Sequence, residues 1–106
     1  MRVLFDQGTP APLRQSLPLH AVETAFERGW STLQNGELLQ TAEAAGFEVM
    51  VTTDMNLQYQ QNLTNRRIAI VVLSTTSWPR IRAAVEHVAR AVDRAKTDRY
   101  VEVLIP

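Results

Sequence analysis

The chain reads as an α/β protein of three layers, α/β/α, with a mostly parallel central sheet of about five strands. Three observations predict this. Short apolar runs alternate with helical patterns along the whole sequence. The run Arg67-Ile68-Ala69-Ile70-Val71-Val72-Leu73 is too uniformly apolar to face water on either side, as a central parallel strand would be. From Ile81 to Ala95 the apolar residues recur at three and four positions, which marks a helix with one buried face.

Taken in order, Arg2 to Asp6 forms a first strand. Gln7-Gly8-Thr9-Pro10 then turns into a short helix, with Thr9 as its cap, Pro10 in its first turn and Pro18 as its limit. His20 to Ala25 alternates weakly and predicts an edge strand, broken by Arg28-Gly29-Trp30. Gly36 to Ala45 places Leu38, Leu39, Ala42 and Ala45 on one helical face, with Gly46 closing the helix. Val49-Met50-Val51-Thr52-Thr53-Asp54 is the third strand, and a Gln-rich polar loop follows from Met55 to Arg67. Beyond the fourth strand, Ser74 to Ser77 leads into one long helix with Pro79 in its first turn, and Tyr100 to Ile105 supplies the last strand.

Composition narrows the function. The 106 residues suit a single domain, 1–106, with 45% hydrophobic content and 11 basic against 11 acidic side chains. That balance gives no global field toward nucleic acid or an anionic membrane. Cysteine is absent, which excludes disulfides, thiolate nucleophiles and zinc-thiolate sites. No apolar run is long enough for a membrane span, and Asp6 falls where a signal peptide needs its apolar stretch, so the expected location is cytoplasmic.

The first and third strands each end on an aspartate, Asp6 and Asp54. With the strand order two, one, three, four and the last strand at the far edge, the topological switch point falls between strands one and three, and ligands collect beyond the carboxyl ends there. Paired carboxylates repel unless a proton or cation lies between them. Oxygen ligands of this kind suit Mg²⁺ or Mn²⁺ and the chemistry of phosphodiesters. Each residue also has a local role open to it: Asn35 as a helix N-cap, Asp54 as the cap of the turn Asp54-Met55-Asn56-Leu57, and Asp6 as the cap of the turn at Gln7-Gly8.

Val3-Leu4-Phe5-Asp6, then Asn35-Gly36-Glu37-Leu38-Leu39 with Ala42, then Val49-Met50-Val51-Thr52-Thr53-Asp54-Met55-Asn56 together resemble the small bacterial PIN-like proteins, over nearly the whole chain. The resemblance implies a metal-dependent ribonuclease in which Asp6 and Asp54 are catalytic, and Asp6, Asp54, Asn35, Glu37 and Asn56 surround the Mg²⁺ or Mn²⁺ ion. Asn35 stands where such proteins usually carry aspartate, Glu37 is the nearest substitute charge, and the acidic residue of the mid-chain helix has no counterpart. It implies further a toxin of a toxin–antitoxin pair, with single-stranded RNA as substrate, a small antitoxin protein as partner, and a homodimer.

Within the polar loop, Tyr59 offers a stacking surface, while Arg66 and Arg67 offer phosphate contacts. Two other functions stay open. One is a non-catalytic interaction module that keeps the fold while the site decays. The other is a receiver-like phosphoacceptor domain, with Asp54 as acceptor and Ser74 or Thr75 ending strand four, although the acidic pair after strand one and the lysine after strand five are missing.

Overall fold

The computed structural model describes residues 1–57, 62–63 and 66–106. The elements run β1 (Arg2–Phe5), a 3-10 helix (Ala11–Ser16), β2 (Ala21–Thr24), α1 (Asn35–Ala44), β3 (Val49–Thr52), β4 (Ala69–Leu73), α2 (Trp78–Ala83), α3 (Val85–Asp98) and β5 (Tyr100–Val103). The five strands form one sheet in the order β2-β1-β3-β4-β5. Every pair is parallel. In register, Phe5 of β1 stands between Thr24 of β2 and Val51 of β3. The expected order and switch point are therefore observed: the chain leaves β1 toward one edge, then returns to build β3, β4 and β5 on the other side.

Alternation along the strands divides the core between two faces. Val3, Phe5, Val49, Val51, Val71 and Leu73 pack with Leu13 of the 3-10 helix, Ile81 of α2, and Val88 and Val92 of α3. Leu4, Met50, Ile70 and Val72 pack on the opposite face with Leu38, Leu39 and Ala42 of α1. All five residues of β4 are buried, as a strand covered on both faces requires. No helix among the described residues is long and apolar enough to cross a membrane.

Three local details differ from the sequence expectation. The helix after β4 is two helices. Ala84 leaves helical geometry at φ −122° and ψ 22°, and its N–H bonds back three residues to Ile81 in a tightened last turn. The buried positions nevertheless continue across the break, through Ile81, Ala84, Val88, Val92 and Ala95. The 3-10 helix has Pro10 as its N-cap residue with no side-chain cap, so Thr9 is not the cap. The cap residue of α1 is Gln34, which leaves Asn35 as the first helical residue.

The end of α1 follows the expected pattern. Gly46 adopts φ +88°, and the N–H groups of Gly46 and Phe47 return to the carbonyls of Glu43 and Ala42. This closure turns the chain back into β3 and fixes where that strand begins.

Candidate functional site

Asp6 and Asp54 follow the carboxyl ends of β1 and β3, neighbouring strands at the switch point. The loops that carry them touch. A Cβ added at Gly8 would lie 2.4 Å from Thr53 Oγ1, so only glycine lets the β1 loop approach the β3 loop this closely without a shift of that side chain.

Thr52, the buried last residue of β3, joins the two aspartates. Its hydroxyl donates to Asp6 Oδ2 and accepts from the Asp54 backbone N–H at 3.1 Å. Thr9, also buried, places its hydroxyl 2.7 Å from Asp6 Oδ1 and 2.9 Å from the Val51 carbonyl, sharing one proton between them. The Asp6 backbone N–H donates to the same Val51 carbonyl at 3.1 Å. Thr9 therefore orients an acidic side chain and pins the β1 loop to β3.

Burial pushes the Asp6 carboxyl above its ordinary value. Hydrogen bonds from Thr52, from Thr9 and from the backbone of Gly8 and Thr9 pull the other way and are outweighed.

Asp54 is held from the other side. Asn35 Nδ2 donates to Asp54 Oδ2 at 2.8 Å, across from the first turn of α1. The Asn56 backbone N–H donates to Asp54 Oδ1 at 2.9 Å, and the Leu57 N–H bonds the Asp54 carbonyl at 3.3 Å. The turn-capping role of Asp54 is thus real and coexists with its contact to Asn35. The N-cap expectation for Asn35 fails because Gln34 takes that position, which turns the Asn35 amide toward the β3 loop. Glu37 is exposed in the first turn of α1, and the Asn56 side chain is exposed beyond Asp54.

The arginines expected to meet RNA stand elsewhere. Arg66 and Arg67 precede β4 and so lie at the amino edge of the sheet, opposite Asp6 and Asp54. Arg66 Nη1 pairs with Glu43 at 2.8 Å, and the Arg67 and Ile68 N–H groups donate to the same carboxylate. Burial would raise the Glu43 carboxyl, but these bonds, led by Arg66, hold it below its ordinary value. The Arg66 and Arg67 carbonyls are bridged by Arg99 Nη2. Arg66 thus ties the chain to α1 through its side chain and Arg67 through its backbone, while the Arg67 side chain is exposed. Tyr59 lies outside the described residues.

The hydroxyls expected of a receiver-like site have backbone work. Ser74 Oγ accepts from the Ile105 N–H at 2.7 Å, and Thr75 Oγ1 accepts from the Ser77 N–H at 3.1 Å.

Asp6 also lines a cleft of about 720 Å³ at the carboxyl edge of the sheet. Its walls include Gln7, Thr24, Phe26, Thr76 and Trp78, none of which stands out in the sequence.

As donors, two carboxylates with amide and hydroxyl oxygens nearby suit one hard divalent ion that keeps most of its water. Among the described residues there is no group of three or more His, Cys, Asp or Glu side chains that could hold a metal ion. Comparison with protein-family models, with curated proteins and with solved structures finds no match for this chain.

Proposed function

We propose that this protein is a Mg²⁺- or Mn²⁺-dependent ribonuclease of the PIN-like type, acting on single-stranded RNA in the cytoplasm as the toxin of a pair with a small antitoxin protein. One observation carries the reading. Asp6 and Asp54, far apart in sequence, follow the carboxyl ends of the two strands flanking the switch point, where α/β sheets bind ligands; Thr52 links the Asp6 carboxylate to the Asp54 backbone, and Asn35 reaches the Asp54 carboxylate.

Asp6 and Asp54 would hold the ion. When bound, it would lower the pKa of a water and offset negative charge on the scissile phosphate. Thr52 and Thr9 fix the Asp6 carboxylate in one orientation, and Asn35 and the Asn56 N–H do the same for Asp54. Both carboxylates are therefore set before substrate arrives, and no side-chain ordering cost falls on the reaction.

A second reading, the non-catalytic interaction module, draws on the Asn35 amide. Its N–H satisfies Asp54 without any cation, so the cluster is complete as a hydrogen-bond network.

Cleavage of labelled single-stranded RNA separates the two. The nuclease reading expects activity only with Mg²⁺ or Mn²⁺, and a loss of about 10²-fold or more on Asp6→Ala or Asp54→Ala. Inactivity with both ions on varied RNAs, persisting in Asn35→Asp, would leave the interaction module.

A further inference from the structure

We infer that the cleft beside Asp6 is a nucleobase subsite, which seats one unpaired base of the RNA next to the phosphate at Asp6 and Asp54. This rests on the ribonuclease reading and names the part of the substrate that the cleft takes.

The first support is Phe26. It stands 76% exposed although it is a large apolar side chain, and it lines the cleft. Its position is fixed by the turn that follows β2. The Thr24 hydroxyl accepts from the Glu27 N–H at 3.0 Å, and Glu27 Oε1 accepts from the Thr24 N–H at 2.9 Å. This reciprocal pair is a capping box, here closing a turn. Arg28 and Gly29 N–H groups bond back to the Thr24 and Phe26 carbonyls, with Gly29 at φ +76°. Phe26 is thus an aromatic ring displayed on a braced turn and largely exposed to solvent.

The second support is the chemistry of the walls. Trp78 is half-buried, packs one side on the core and lines the cleft with the rest, giving a second aromatic surface. Gln7, Thr24 and Thr76 add amide and hydroxyl groups that can meet the edge of a base. The cation among the lining residues, Arg14, is already paired with Glu27 at 2.6 Å. An apolar, aromatic cleft whose lining cation, Arg14, is already paired and which has a carboxylate in its wall fits the flat uncharged part of a nucleotide rather than its phosphate. A volume of about 720 Å³ accommodates a nucleoside. Asp6 forms one wall, so a base seated there brings the adjoining phosphate to the acidic pair.

The test uses the full chain in EDTA, where no cleavage occurs. Trp30→Phe leaves Trp78 as the single tryptophan, since the chain has two. Adenosine, uridine, inorganic phosphate and ribose 5-phosphate are titrated separately while Trp78 fluorescence is followed. The wild-type protein is titrated in parallel by NMR, with the Phe26 ring and Trp78 indole signals as reporters. Both nucleosides should quench Trp78 and shift both ring signals at millimolar concentration, whereas phosphate and ribose 5-phosphate should do neither. Phe26→Ala should weaken nucleoside binding about tenfold, the usual scale of one lost base–aromatic stack.

No nucleoside response, or an affinity unchanged by Phe26→Ala, would overturn the subsite. Quenching by a leucine-rich peptide but by neither nucleoside would overturn it in favour of a protein-binding cleft. The two levels of the reading remain distinguishable. Nucleoside binding without metal-dependent cleavage removes the ribonuclease reading alone, and cleavage without nucleoside binding removes the subsite alone.

Discussion

Thr52→Val removes one hydroxyl from a residue that is 1% exposed and keeps its shape, so it isolates the bridge from the Asp6 carboxylate to the Asp54 backbone. Asp6 Oδ2 loses the Thr52 donor, and the Asp54 N–H loses its acceptor. A hydrogen bond to a charged group is worth about 1.5–3 kcal/mol, and an ordinary backbone one about 0.5–1.5 kcal/mol. The variant should therefore lose about 2–4 kcal/mol, a large fraction of the stability of a small protein.

The loss should also depend on pH. Burial already raises the Asp6 carboxyl above its ordinary 3.8, and without Thr52 that effect is less opposed, so it rises further. A raised carboxyl favours the folded state below its unfolded value, and this contribution is lost as pH climbs through the folded value. Well below pH 3.8 Asp6 is protonated in both proteins, so Thr52→Val then removes a bond to a neutral carboxyl, the weaker kind, together with the one to the Asp54 N–H. The difference between the proteins should grow from there toward neutral pH. Urea unfolding in EDTA at acid and at neutral pH measures it, with Thr52→Ser as a control that keeps the hydroxyl. A neutral-pH loss under about 1 kcal/mol, or an equal loss at acid pH, would refute the assigned role of Thr52.

Two further variants probe the surroundings. Asn35→Asp replaces the donor to Asp54 with a like charge. It should destabilise the protein by about 1–3 kcal/mol in EDTA, recover with millimolar Mn²⁺, and raise RNA cleavage, as thermal melts and initial rates will show. Arg66→Ala leaves Glu43, only 10% exposed, without its ion-pair partner. It should cost about 2–4 kcal/mol by urea unfolding at neutral pH yet leave RNA affinity unchanged, since the pair sits at the far edge of the sheet. Because Glu43 is held below its ordinary 4.5, its stabilisation is present above that value and fades as pH falls through the folded one. Arg66→Ala should accordingly flatten the acid limb of the stability profile.

Strand order was legible because β4 is buried on both faces and its sequence is apolar throughout, while β2 is weakly patterned and lies at the edge. The two aspartates were legible because they follow apolar runs. What periodicity could not reveal was made by tertiary contact. Thr9 reads as a helix cap, but its hydroxyl finds Asp6 and the Val51 carbonyl instead. Asn35 reads as another cap, but Gln34 precedes the helix and Asn35 meets Asp54. The pattern 81–95 keeps one face through Ala84, so the break there leaves no mark on hydrophobic spacing. Arg66 looks free in a polar loop because Glu43, its ion-pair partner, lies on α1. Phe26 did not stand out because the strand pattern of 20–25 hides the capping turn at Thr24 and Glu27 that follows it.

The claim that Asp6 and Asp54 form a divalent-cation site is tested most directly by electron paramagnetic resonance of Mn²⁺ titrated into the purified protein. Wild type should take up one ion per chain and Asp54→Asn should lose that binding, with Asp6→Asn behaving alike. Mn²⁺ left free in solution by the wild type, or bound equally by all three proteins, would contradict the site.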